Sequence, residues 1–421
     1  MELAPPRGTQ DLLPDRADAM LGLYEESHRI ARTYGFRYVE TPTFEQTELF
    51  ARTSGETSDV VTKEMYTFED KGGRSVTLRP ESTAGVVRAY LTHAQSLPNP
   101  FKAYYVASEF RHGRPQQGRL REFRQFGVEV IGTSAPGADV EVLVLGDRFL
   151  RERGLTGITL HLNSIGDEVC RPAYRDELVA FLRANRDRLT DEHKDRFEDN
   201  PLRVLDCKDD ACRAVAREAP RITEHLCEPC RAHFDGVQAR LKDAGLSWTI
   251  EPTLVRGLDY YTRTAFEFVS PGLSPQQATL FGGGRYDGLA EVLGGPHVPG
   301  VGFGMGLERV LLALEQEGVE APEEPGLAVF VVGVGDAGRA RAHDLVRELR
   351  EAGVAADTSF EDRPLKAQLK MADRAGAVFA AIVGERELEA GSVTLRRLSD
   401  GDQKEVSASR LVGTLAEGTD G

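Results

Sequence analysis

The chain lacks any uninterrupted apolar run of the ~18 residues that a membrane-spanning helix needs. Its longest candidate, Ala375 to Gly384, reads as a core strand with the turn before it. The opening residues, MELAPPRGTQDLLP, have neither a charged n-region nor an apolar h-region, so no export signal is expected. Cysteine is scarce, at five residues, which predicts a reducing, cytoplasmic setting without a disulfide framework. Positive charge is in deficit: the formal net charge is −15, which argues against non-specific nucleic-acid binding by the surface as a whole. It leaves room for a local basic patch. There is no internal repeat, no low-complexity tract, and no match to the Walker or Rossmann glycine fingerprints. At 421 residues the chain has the length for roughly two or three domains, each with its own core.

What is present is organised around Ala103 to Gly132, which reads strand, basic loop, strand. Side chains alternate along a strand. Tyr104, Val106, Ser108 and Phe110 therefore share one face, and Tyr105, Ala107, Glu109 and Arg111 the other. In the second strand Phe126, Val128 and Val130 form an apolar face; Phe123, Gln125, Gly127, Glu129 and Ile131 form the opposite one. The loop between carries Arg114, Arg119 and Arg121, with Arg111 and Arg124 at its edges. Gly113, Pro115 and Gly118 keep it irregular. A carboxylate-bearing sheet face beside an arginine loop suits an amine or cation next to a phosphate, for which arginine is the bidentate donor.

Around this hairpin the patterns predict a helix over 17–34 ended by Gly35, a short strand stopped by Thr41-Pro42, and a hairpin turning at Asp70 to Gly73. Arg79-Pro80-Glu81-Ser82-Thr83 leads into a helix and leaves Glu81 and Thr83 at a strand–helix junction. A helix over 138–153 and a strand over 158–164 follow. From 166 to about 247 the chain turns charged and helical and holds all five cysteines. β character returns at Trp248 to Val269. The glycines of Phe281 to Gly288, Gly283 and Gly284 among them, permit close backbone approach. In Val301 to Val310 glycine at every second position, including Gly304 and Gly306, strips one face of a strand, where something flat could lie. Arg309 sits in the first turn of the next helix, where a cation opposes the dipole and is better suited to an anionic ligand. After an acidic linker (317–326) the pattern βαβα predicts a small α/β domain with a mostly parallel sheet.

Phe110-Arg111-His112 with Phe123 to Glu129, Arg256 to Tyr261, Gly283 to Gly288 and Gly304 to Arg309 resemble the motifs of the histidine–tRNA ligases, a class II aminoacyl-tRNA synthetase family. Arg7 to Asp11 and Leu78 to Glu81 resemble it too, so the likeness spans nearly the whole chain. It implies an α+β catalytic core, an antiparallel sheet flanked by helices, in two parts (1–165 and 248–320). It also implies a helical insertion (166–247) and a C-terminal α/β anticodon-binding domain (326–421). By the same resemblance Arg111 and Arg256 would bind the α-phosphate of ATP, and Phe123 and Arg309 would sandwich adenine. Glu81, Thr83 and Gln125 would hold the amino group of L-histidine, and Glu129 and Tyr261, with Tyr260 beside them, would read its imidazole. Mg²⁺ would accompany ATP, tRNA(His) would be the acceptor, and the helix–strand–Pro42 segment resembles the dimer-forming motif of a homodimer.

Gly113, Ser82, Glu122 and Arg124 depart from the family pattern, and they are expected to touch the loop that meets the tRNA acceptor end. A related family keeps the same core as a non-catalytic, histidine-sensing regulatory subunit of histidine biosynthesis. The intact Arg256 to Tyr261 segment and the C-terminal domain favour the ligase. A generic RNA-binding module is disfavoured by the acidic balance. Finally, Cys207-x₄-Cys212 and Cys227-x₂-Cys230 have the spacing of a structural Cys₄ zinc site, or are four ordinary thiols.

Overall fold

The computed structural model describes residues 3–54, 64–113, 115, 118–207, 209–255, 260–275, 277–319 and 326–418. Those up to 319 form one compact unit and those from 326 a second. The first unit opens with α1 (Arg16–Thr33), which buries the predicted stripe of Met20, Leu23, Ser27, Ile30 and Ala31 and stops at Gly35, whose φ is +77°. Then come β1 (Arg37–Tyr38), β2 (Phe44–Gln46), α2 (Thr47–Ser54), β3 (Tyr66–Glu69), β4 (Ser75–Leu78) and α3 (Thr83–His93). The long pair β5 (Phe101–Phe110) and β6 (Glu122–Ile131) precedes α4 (Pro136–Glu152) and β7 (Thr159–Ser164). Helices α5 (Arg171–Ala184), α6 (Asp191–Lys194), α7 (Leu202–Leu205), α8 (Asp210–Glu218) and α9 (Glu228–Asp243) fill the cysteine-bearing region. The unit closes with β8 (Thr249–Ile250), β9 (Thr262–Val269), β10 (Thr279–Arg285), α10 (Leu289–Val292), β11 (Gly300–Gly306) and α11 (Leu307–Glu317).

Eight strands make one sheet in the order β1-β5-β6-β11-β10-β9-β7-β8. The five pairings from β5 across to β7 are all antiparallel, and β1 and β8 add parallel at the edges. One face is apolar. Tyr104, Phe126, Val128 and Phe303 are buried against Leu23 and Ile30 of α1, Phe149 of α4 and Val310 of α11. Each such side chain contributes about 1.5–3 kcal/mol, so this face sets the register. A one-residue slip would turn Gln125 and Glu129 into the helices. The opposite face, carrying Tyr105, Glu109, Gln125 and Glu129, is covered by α3 and α10. Beside it lies a small antiparallel sheet, β2-β4-β3.

In the second unit β12 (Val329–Gly333), α12 (Gly335–Glu351), β13 (Ala356–Thr358), α13 (Leu365–Arg374) and β14 (Phe379–Val383) follow the predicted alternation. Then α14 (Glu385–Ala390), β15 (Ser392–Arg397), β16 (Gln403–Ser407) and α15 (Leu411–Gly418) complete it. The expectation of a mostly parallel sheet is corrected. Only β13-β12 and β12-β14 are parallel, whereas β14-β15 and β15-β16 are antiparallel. The connection through α14 is too short for a parallel crossover, which takes about 10–12 residues. Gly391, at φ +63°, instead turns the chain straight back.

Candidate active site

The site is assembled on the polar face of the sheet. In the β5–β6 register Ala103 faces Glu129, Tyr105 faces Gly127, Ala107 faces Gln125 and Glu109 faces Phe123. The turn from β4 into α3 lays Glu81, Ser82 and Thr83 over these strands. Three carboxylates are thereby buried together, Glu81, Glu109 and Glu129. Burial pushes all three upward, Glu109 and Glu129 to about 8.

Their hydrogen bonding differs. Glu129 is held at both oxygens: the Thr83 hydroxyl donates to Oε1 at 2.7 Å, Tyr105 reaches the same atom at 3.5 Å, and the Tyr286 hydroxyl donates to Oε2. Glu109 accepts from the Ser82 hydroxyl at 3.0 Å, and Glu81 accepts from the Ala84 backbone N–H at 3.0 Å. The remaining oxygen of each, Glu81 Oε2 and Glu109 Oε2, is buried without a hydrogen-bond partner among the described residues, although the Arg111 guanidinium lies 4.0 Å from the latter. Two unmatched buried acceptors beside a held carboxylate form a receptor for a cationic, hydrogen-donating group.

The glycines have a use that alternation alone does not reveal. A Cβ on Gly302 would stand 1.8 Å from Glu129 Oε2, and one on Gly304 2.4 Å from Gln125 Oε1. A Cβ on Gly127 would strike the Tyr105 ring at 2.2 Å, and one on Gly284 would come within 3.0 Å of Tyr261. The stripped face is therefore occupied by the protein's own side chains, which lie flat across the neighbouring strands. That corrects the expectation of a bare floor there. Gly283 sits against the Gly302 backbone and the Phe266 ring, while Gly306, the N-cap of α11, has room for a Cβ in ordinary contact with Arg309. Tyr261 packs on Tyr260 with ring centroids 4.7 Å apart, and Tyr260 meets Tyr286 edge-on.

At the rim, Arg111 donates to the Pro80 carbonyl at 2.7 Å and lies over the Phe123 ring. Arg309 donates to the carbonyls of Gly118 and Thr279. Burial and the nearby charges of Arg111 and Arg119 depress its pKa. Arg119 is paired with Glu64 at 2.6 Å; guanidinium groups gathered in this way suit a polyanion. The predicted Arg7 to Asp11 motif props this rim: Gly8 accepts from the Arg121 N–H at 2.7 Å, and the Arg121 carbonyl accepts from Arg111 N–H at 2.9 Å. Arg256 and Arg114 lie outside the described residues.

Several expectations are relocated. Ser82 touches the buried Glu109 rather than the loop. Arg124 turns inward to Glu308 of α11, whose carboxylate also accepts the Arg124 backbone N–H at 3.0 Å. Arg285 is fully buried, paired with Asp139 at 3.0 Å and Asp287 at 2.8 Å, with His233 3.2 Å from Asp139. It ties β10 to α4 and α9. Sequence reasoning gave Glu109, Tyr105 and Tyr286 no role. Alternation had placed Glu109 and Tyr105 on the right face, but nothing local marks Tyr286 as a partner of Glu129.

The cysteines do not form one Cys₄ centre. Cys207 and Cys212 gather with His193, while Cys227 and Cys230 gather with Cys170 and Asp167. Between them α8 and the turn Ile222–Glu224, which packs on β7, carry the chain from one group to the other.

A family model described as histidyl-tRNA synthetase matches residues 8–310, and one described as anticodon binding domain matches 328–418. A histidine–tRNA ligase of Moorella thermoacetica is 50% identical over 408 residues, covering 97% of this chain and 96% of its own. One from Halothermothrix orenii is 45% identical and covers 98% of both. The crystal structure of apo S. aureus histidyl-tRNA synthetase superposes with a TM-score of 0.83 at 39% identity, covering 98% of this chain and all of that one. With three buried carboxylates beside an arginine rim on an antiparallel sheet, this chain belongs to the histidyl-tRNA synthetase family of class II aminoacyl-tRNA synthetases.

Proposed function

We propose that the chain ligates L-histidine to tRNA(His) in two steps, at a catalytic core formed by residues 1–165 and 248–320 with the helical insertion 166–247 between them. The histidine carboxylate attacks the α-phosphorus of ATP and pyrophosphate leaves. A terminal ribose hydroxyl of the tRNA then attacks the mixed anhydride and AMP leaves. No protein nucleophile is required, so the chain's contribution is positioning and charge stabilisation. Glu81 and Gln125 receive the histidine ammonium, with Glu109 added to them. Thr83 orients Glu129, which reads the imidazole with Tyr261 while Tyr260 buttresses both. Arg111 and Arg256 hold the α-phosphate, and Phe123 and Arg309 hold adenine. Mg²⁺ arrives with ATP as part of the substrate. The observation that carries the reading is the pair of unmatched buried oxygens on Glu81 and Glu109 beside a fully held Glu129.

A homodimer is supported by aromatic side chains exposed near the β1 edge and on the small sheet: Tyr38, Phe44 and Phe68. Among the described residues no helix is long and apolar enough to cross a membrane; a cytoplasmic setting is part of the proposal. The test is histidine-dependent ATP–pyrophosphate exchange, followed by charging of tRNA(His). Arg111→Ala should lower exchange by about 10²–10³-fold. Histidine binding with no exchange would replace this reading with the regulatory one.

A further inference from the structure

We propose that Asp167, Cys170, Cys227 and Cys230 form a structural zinc site that clamps the helical insertion to the catalytic sheet. The four donors come from two short knuckles, Asp167-x₂-Cys170 and Cys227-x₂-Cys230, and their ligand atoms all lie within 4.8 Å of one another. Cys170 Sγ stands 3.4 Å from Asp167 Oδ1, and Cys227 Sγ stands 3.6 Å from it. A tetrahedral centre with Zn–S bonds near 2.3 Å and Zn–O bonds near 2.0–2.2 Å requires S···O edges of about 3.5 Å. The edges already present meet that requirement.

The surroundings are built to the same end. Cys170 is the N-cap of α5 and Cys227 the N-cap of α9, each followed two residues on by proline, and Cys230 lies in the first turn of α9. Two helix N-termini thus face the cluster, with their backbone N–H dipoles toward the negative charge that metal-bound sulfur would carry. The Asp167 backbone N–H points at Cys170 Sγ at 3.2 Å, and the N–H groups of Val169 and Cys170 are directed at Asp167 Oδ1. Gly166, at φ +63°, leaves space for sulfur: a Cβ there would stand 2.6 Å from Cys170 Sγ. Cys170 and Cys230 are buried. Three thiolates and one carboxylate select a soft, tetrahedral divalent ion. Four protein ligands leave no open position for catalysis. Their summed negative charge is opposed by Arg263, 3.7 Å from Asp167.

The clamp has a mechanical role. The Ile165 and Arg263 N–H groups bond the carbonyls of Arg263 and Gly166, both at 2.7 Å, and Arg171 donates to the carbonyls of Ile165 and Tyr261. The knuckle that would hold the ion is therefore stitched to the start of β9. The inference rests on these ligands and not on the aminoacylation reading.

The test is metal analysis of the full chain purified without chelator. About one zinc per chain is expected. Cobalt substitution should give tetrahedral ligand-field bands and thiolate-to-cobalt charge transfer. Cys227→Ser and Cys230→Ser should lose the metal, whereas Cys207→Ser and Cys212→Ser should keep it. Asp167→Asn, which preserves shape should the serine variants fail to fold, should release zinc to a competing chelator at least about ten-fold faster. In wild type, chelation should speed amide hydrogen exchange at Ile165 and Arg263. Less than about 0.2 zinc per chain, or metal lost with Cys212→Ser but retained in Cys227→Ser, overturns the proposal. Unchanged amide exchange at Ile165 and Arg263 after chelation would remove the clamp; pyrophosphate exchange, read separately, tests the proposed function.

Discussion

Two ionic clusters are buried in one sheet, and they are finished differently. Around Arg285 every charge has an answer: Asp139 and Asp287 take the guanidinium, His233 takes Asp139, and the backbone carbonyls of Thr133 and Ala135 take what remains. Around Glu81, Glu109 and Glu129 there are three acids and hydroxyl donors, and among the described residues the nearest guanidinium in an ion pair is that of Arg111, 4.0 Å from Glu109. Burying an unmatched charge is costly, so such a group stays neutral or awaits a partner. A closed cluster reports on architecture and an open one on a ligand.

The sharpest way to break the comparison is to open the closed cluster. Arg285→Ala strands two buried carboxylates and should lower stability by about 3–5 kcal/mol in denaturant unfolding. A loss below about 1 kcal/mol would mean that the pairing is not what holds β10 to α4. The reverse experiment is Glu129→Gln, which keeps shape and removes charge. It should lower kcat/KM for histidine by roughly 10–150-fold, the value of a charge-assisted hydrogen bond at about 1.5–3 kcal/mol, without lowering stability. A third measurement follows from carboxyls raised to about 8. At pH 7 they are largely protonated in the free protein, so binding of the histidine ammonium should release about one to two protons. Calorimetry in buffers of differing ionisation heat would detect the release, and it should vanish above pH 9.

The smallest effect concerns folding alone. Glu109 is raised in the folded state from an ordinary value of 4.5, so its contribution is whole below about pH 4.5 and is lost as pH rises through about 8. The stability of Glu109→Gln relative to wild type should therefore grow over that window, by at most about 1.4 kcal/mol for each pH unit. A flat difference would place the Glu109 proton elsewhere.

Much of this site was legible before any coordinates. Strand alternation placed Glu109 with Arg111, and Gln125 with Glu129, because the period of two is a local property of the backbone. Glu81 and Thr83 were readable at a strand–helix junction, whereas Tyr261 was placed beside them only by what the family resemblance implies. Partnership was not legible. The glycines of Gly-Gly-Arg-Tyr-Asp-Gly read as permitting close approach, yet its arginine is architectural and its tyrosine meets Glu129. The cysteines, taken in sequence order, suggested one centre, while the folded chain sorts them into two. In the second unit the βαβ rhythm was readable, but the reversal at Gly391 was not.

The sequence by itself determined which side chains share a face, where the glycines relieve crowding, and which family the chain belongs to. These are written in spacing, and spacing survives without a fold. Only the tertiary structure decided which acids are answered and which wait, and which thiols keep company with Asp167. Both depend on distances between elements far apart in the chain, and those are set by packing.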